Sequence, residues 1–275
     1  ESQISSTVAL LLKYDSYLHV VVTDTGFTDK DEIEKYKEAQ IRGLQKNITE
    51  HHQPELCSQL RLMCEEIQSL SFPNYIQYSL LTDLLDRIYR DMTLWYATHE
   101  ASELGEFRWV LDSKNDEPTK AERIWKTLVA GYLEFRSLSE PLICLKGADY
   151  SYLDRYLMDV PEHLIPHLKE QNKNYGGYDI KKIICENIEF TDDKDCLGLQ
   201  LSHIVCNAYR RALIGNIEIS QISSLGQLMM KSRKFAIILR MFRTDGEQEA
   251  YLERGIEERL LILENEASKR IKRKC

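Results

Sequence analysis

The chain has no C-x-x-C pair, and its seven cysteines, at 57, 64, 144, 185, 196, 206 and 275, are odd in number and scattered. Motifs built on a C-x-x-C pair are therefore excluded, and reduced thiols in a cytoplasmic protein are the expected account. His163 and His167 are four apart, but Pro166 breaks the turn that would aim both at one metal. No apolar run approaches the roughly 20 residues that cross a bilayer, so "VALLL" and "FAIIL" are core segments and no membrane span is expected. No targeting segment is visible at the start, which opens on Glu1. The sequence lacks G-x-x-x-x-G-K-[ST], G-x-S-x-G and any dinucleotide fingerprint, which removes the commonest phosphate-loop, nucleophile-elbow and Rossmann chemistries. Internal repeats and low-complexity linkers are also missing.

What is present is an ordinary globular balance, 43% apolar and 29% charged over 275 residues, enough chain for one large domain or two small ones. The net charge of −8 argues against a uniformly basic surface. Its distribution is uneven, however. Lys231, Arg233, Lys234, Arg240 and Arg243 fall in "KSRKFAIILRMFR", which has no acid, and "SKRIKRKC" closes the chain. Two basic blocks on an acidic chain suit contacts with a phosphate backbone, or a helix end complementing its own dipole.

Along the chain, 7–12 and 17–23 are β-rich runs joined near Asp15 and Ser16, a hairpin signal. An acid-led helix start follows at Thr28 and Asp29, and helices are expected over 54–70 and 75–97, with Pro54 and Pro73 near the breaks. In the last of these, Leu81, Leu84, Leu85, Ile88, Met92 and Trp95 keep helical spacing and predict one buried side. "EFRWVLDSKN" reads as a strand, "TKAERIWKTLVAGYLEFRSL" as a helix and "EPLICLKGADYS" as a further strand, an order that predicts α/β architecture. Residues 246–273 form a long helix with a narrow apolar stripe, suited to packing on the body of the chain or on a second copy.

Chemistry is expected at strand ends. Asp112 closes the run Trp109-Val110-Leu111 and precedes Lys114; α/β sheets place their ligands at that end of a strand. The alternative for it is a simple strand-to-helix turn, where Asp is common. Asp149, with Asp154 a turn later, follows a Gly-Ala turn and is either functional or an N-cap. Asp192, Asp193 and Asp195 precede the helix "LGLQLSHIVCNAYRR", where acids also favour the positive dipole end. That helix carries Gln200, His203, Asn207 and Arg210 on one face, spaced three, four and three apart. Acids at two strand ends with a histidine on a later helix suit Mg2+ or Mn2+, and such ions can drive phosphodiester cleavage.

"GEFRWVLDSKN", "AERIWKTLVAGYLEFRSLSEPL", "GADYSYLDRY" and above all "LGLQLSHIVCNAYRRAL" resemble the bacterial family catalogued as domain of unknown function 3800, in order through roughly residues 100–216. The resemblance implies a ribonuclease H-like fold, a mixed β-sheet flanked by helices. It would span 1–216, with a helical block at about 29–97, and 217–275 would be a helical extension. It also implies a metal-dependent nuclease acting in phage defence. Asp112 takes the place of the strand aspartate. The family's first strand usually ends in D-E-S-G, and this chain opens Glu1-Ser2, so Glu1 is the nearest match and Asp24 the fallback. Where the family has L-Q-L-A-D, this chain has Leu199-Gln200-Leu201-Ser202-His203, so His203 replaces the helix acid. RuvC-type nucleases are similar in using a histidine among their metal ligands.

Two readings follow from the resemblance. In the first, Asp112 and His203 hold the metal, Asp149 or Asp193 supports them, and Lys114, Arg210, Arg211, Lys231, Arg233 and Lys234 contact nucleic acid. In the second, the site is degenerate and the fold serves as a binding or scaffold component, with a protein partner or a second copy on the C-terminal helix.

Overall fold

The computed structural model describes residues 2–25, 29–46, 48, 54–112, 124–158, 177–230, 236–242 and 254–274. The hairpin expected over 7–12 and 17–23 is not formed. Ser2–Lys13 is a helix, α1, and Ile4 and Val8, four apart, are its buried contacts. A continuous apolar run carries no period, so only its tertiary partner decides between helix and strand. Asp15, at φ 54°, turns the chain towards a three-residue strand, β1 (Val20–Val22).

Three helices follow: α2 (Lys30–Lys46), α3 (Pro54–Gln68) and α4 (Phe72–His99). Pro73 sits in the first turn of α4, where a backbone N–H has no intrahelical partner to lose. Helix α4 is about 42 Å long at 1.5 Å per residue and is enclosed on more than one side. Of the expected stripe only Leu85 is fully buried; the most buried face runs through Tyr75, Tyr78, Thr82, Tyr89, Arg90 and Thr93. Polar side chains can occupy that face because they pair with one another, as described below.

The strand β2 (Trp109–Asp112) comes next, and a π-helical turn, Trp125–Val129, leads into α5 (Ala130–Ser139). No strand forms in "EPLICLKGADYS". Ile143 and Leu145 are exposed, no neighbouring strand pairs with them, and the segment closes in a turn at Gly147, φ 93°. The remaining elements are β3 (Leu157–Met158), β4 (Gly177–Tyr178), α6 (Ile180–Cys185), β5 (Ile188–Thr191), α7 (Leu197–Leu213), α8 (Ile219–Gly226), β6 (Ile237–Leu239) and α9 (Arg254–Lys274).

The architecture is mixed α/β and mostly helical. Among the described residues the strands form three two-stranded sheets rather than one mixed sheet: β1 with β6 and β2 with β5, both parallel, and β3 with β4, antiparallel. Two apolar clusters hold these elements. One joins α2 to α6 around Ile67, Tyr75, Leu104, Val129 and Ile184. The other joins α1, α7, α8 and α9 around Ala212, Leu225 and Leu263. Helix α7 ends at Gly215, φ 80°, whose conformation lets Asn216 donate back to the Arg211 carbonyl at 2.8 Å. At Gly226 the backbone of α8 runs so close to α9 that a Cβ would fall 2.8 Å from the Leu263 carbonyl oxygen. The apolar stripe of α9 is therefore used inside the chain, with Leu263 and Ala267 fully buried.

Candidate functional site

Parallel pairing puts Asp112 of β2 beside Thr191 of β5, so both strands end at the same edge. The chain leaves β5 through a 3-10 turn, Asp193–Asp195, and enters α7 at once. Asp192 caps that turn: its Oδ1 accepts from the Lys194 N–H at 2.9 Å, a bond that holds its carboxyl below the usual range. One turn into α7, Gln200 donates its Nε2 to the carbonyls of Asp193, at 2.9 Å, and Lys194, at 3.3 Å. The helix thereby fixes the loop that carries Asp193. His203, almost one further turn along, closes the arrangement.

The imidazole of His203 lies between two carboxylates. Its Nε2 is 3.4 Å from Asp112 Oδ2 and its Nδ1 is 3.1 Å from Asp193 Oδ2. The three side chains are 26%, 38% and 49% exposed for Asp112, Asp193 and His203, so solvent and a ligand reach them. Residues 81 and 91 positions from Asp112 thus meet it at one point. A ring protonated on both nitrogens donates to both carboxylates; a neutral ring donates to one and sets its lone pair against the other, acceptor facing acceptor.

Two carboxylate oxygens and an imidazole nitrogen are the donor set that Mg2+ or, better, Mn2+ accepts. In their present rotamers the acids face the ring rather than a common point, and among the described residues no group of three His, Cys, Asp or Glu forms a metal cluster. The residues fit the ion by chemistry, and one carboxylate has to turn from the ring to share it.

The other expected residues are placed differently. Asp149 is an exposed turn cap: its Oδ1 accepts from the N–H and the hydroxyl of Ser151, at 2.9 and 2.7 Å, which lowers its pKa. Its own N–H is bonded to the Ala97 carbonyl at the end of α4, and Tyr150, not Asp149, occupies the N-cap position of the 3-10 turn Ser151–Tyr156. Arg211 donates to the Asn216 carbonyl at 3.1 Å and finishes α7. Arg210 is exposed on the His203 face, about 10 Å further along the axis. Glu1, Lys114, Lys231, Arg233 and Lys234 lie outside the described residues, as do His163 and His167.

A second polar cluster went unread in the sequence. Asp83, Asp86, Arg87, Arg90 and Asp91 share one face of α4 and are almost wholly buried. Arg87 pairs with Asp91 at 2.8 Å and Arg90 with Asp86 at 2.7 Å. His19, beside β1, has its Nδ1 3.7 Å from Asp91; burial pushes its pKa down to about 4. At the other end, Asp83 faces Arg240, at 3.1 Å, and Arg136, at 3.7 Å, around a cavity of about 270 Å3. Charges at positions 83, 86, 87, 90 and 91 of an otherwise apolar helix were the available signal.

Comparison with protein-family models, with curated proteins and with solved structures finds no match to this chain.

Proposed function

We propose that the chain is a metal-dependent nuclease with a ribonuclease H-like arrangement of ligands, cleaving phosphodiester bonds of RNA or DNA. The observation that carries this reading is the meeting of Asp112, Asp193 and His203 at the carboxyl end of the parallel β2–β5 pair. Asp112, Asp193 and His203 would hold Mg2+ or Mn2+, which when bound polarises a phosphate oxygen and an attacking water. The carboxylate that stays on the ring would orient the imidazole, and His203 could hold or pass a proton at the nitrogen left free of the ion. Gln200 keeps Asp193 within reach. Arg210, exposed on the same face, is placed to contact a phosphate further along the strand. The cytoplasm and phage defence are the setting that the family resemblance implies for such an enzyme.

The test is cleavage of RNA and DNA by purified full-length protein with Mg2+ or Mn2+. Cutting that Asp112→Asn abolishes is expected; no cutting with either ion would sink the proposal.

One observation favours a second reading: both imidazole nitrogens already face a carboxylate. A site satisfied in this way suits a binding or scaffold subunit that has lost catalysis. Calorimetry with Mn2+ on the wild type and on His203→Ala separates the two. Binding lost in the variant favours the nuclease, and no binding in either favours the scaffold.

A further inference from the structure

The cavity beside α4 stands apart from the Asp112 site and is built by four parts of the fold. Tyr36 and Gln40 come from α2, Asp83 from α4, Tyr132 and Arg136 from α5, and Arg240 from the residue after β6. Arg240 reaches it because its backbone N–H continues the β1–β6 pairing, donating to the Val22 carbonyl at 2.7 Å. The cavity therefore lies beyond the carboxyl end of a parallel strand pair, the edge at which α/β folds admit ligands. Its volume, about 270 Å3, holds an ion or small molecule several times larger than one water.

The hydrogen-bonding capacity left on its walls is specific. Asp86 pairs with Arg90 at 2.7 Å and with Arg136 at 3.5 Å, and Glu140, half exposed, accepts from Arg136 Nε at 3.3 Å. Asp83 is reached by both guanidiniums, Arg240 at 3.1 Å and Arg136 at 3.7 Å. Gln40 Oε1 already accepts from Tyr75. Arg240 gives Nη2 to the Tyr36 hydroxyl and lies over the rings of Tyr36 and Phe242. Yet Arg240 Nε is buried without a hydrogen-bond partner among the described residues, and Asp83 Oδ2, although 3.1 Å from Arg240 Nη1, receives no well-aligned hydrogen bond among them. One donor is left over and the facing acceptor is held by charge alone, and such groups in a polar cavity suit a ligand or water.

We propose that this cavity binds a phosphate group that still carries a proton, with Arg240 and Arg136 donating to its oxygens and Asp83 accepting its P–O–H. A carboxylate or sulfate offers the guanidiniums an acceptor but meets Asp83 with a second acceptor. A hydrogenphosphate satisfies both sides. The Tyr36 and Tyr132 hydroxyls complete the donor set. Burial raises the Asp83 pKa, opposed by the two arginines, as expected of a carboxylate held in a dry polar site.

Titration calorimetry at pH 6 tests this on the whole chain, with inorganic phosphate, glycerol 3-phosphate and sulfate as separate probes. Saturable binding of phosphate at about millimolar Kd is expected, with sulfate at least about tenfold weaker, a difference near one decade of affinity. Binding of glycerol 3-phosphate as well assigns the site to phosphomonoesters; its exclusion assigns the site to the free ion. Asp83→Asn should erase the discrimination, because the amide can donate to sulfate, while Tyr132→Phe should weaken phosphate with the fold intact. Equal affinity for phosphate and sulfate in the wild type, or no phosphate binding at about ten times that concentration, overturns the proposal without recourse to any variant.

Discussion

Gln200 shows how one amide can govern a site without touching a ligand. Its Nε2 spans the carbonyls of Asp193 and Lys194, so Gln200→Ala frees the turn while leaving every proposed ligand in place. Loss of such a supporting bond typically costs about 10- to 100-fold in metal affinity, and Mn2+ calorimetry should show a drop in that range. His19 supplies a second prediction. Its folded pKa, about 4, lies below its unfolded value of 6.5, so the unfolded chain binds the extra proton first. The contribution is complete above pH 6.5 and is lost as pH falls towards 4, worth about 3 kcal/mol at order of magnitude. Urea melts of the wild type and His19→Leu between pH 7.5 and 4 should diverge by about that amount, with the wild type losing more.

At the scale of elements, the crossing of α8 and α9 at Gly226 brings two backbones close together. A Cβ there meets the Leu263 carbonyl oxygen and Glu266 Cβ, at 2.8 and 2.7 Å, and neither can swing away as the tip of a long side chain would. Gly226→Ala should cost about 1–3 kcal/mol, as overpacking does, read as a lower urea midpoint. Elements also differ in how far they were legible in the sequence. Helices α2, α3, α4, α7 and α9 follow from their period and their proline or acid starts. The strands are two to four residues long, too short for alternation to register, and "TVALLL" lacks any period that separates helix from strand. Asp112 and His203 were legible because strand ends and polar stripes on amphipathic helices are local patterns. Asp83, Arg136 and Arg240 were not, since only tertiary folding brings them to one cavity.

At the scale of the whole molecule, the proposed metal gives the simplest global test. Chelation by EDTA should abolish any cleavage and Mn2+ should restore it, with little change in melting temperature, because the ion would join the partly exposed side chains of Asp112, Asp193 and His203 rather than either core. Thr23 and Arg240 are joined by a 2.8 Å hydrogen bond across 217 positions, and the second core draws on both Ile4 and Leu263. On a ribosome adding about 5–20 residues per second, the first strand waits about 10 to 40 seconds before its partner has been made. During that interval Ile4 and Val8 of α1 lack the contacts with Val205, Tyr209 and Leu225 that cover them in the fold.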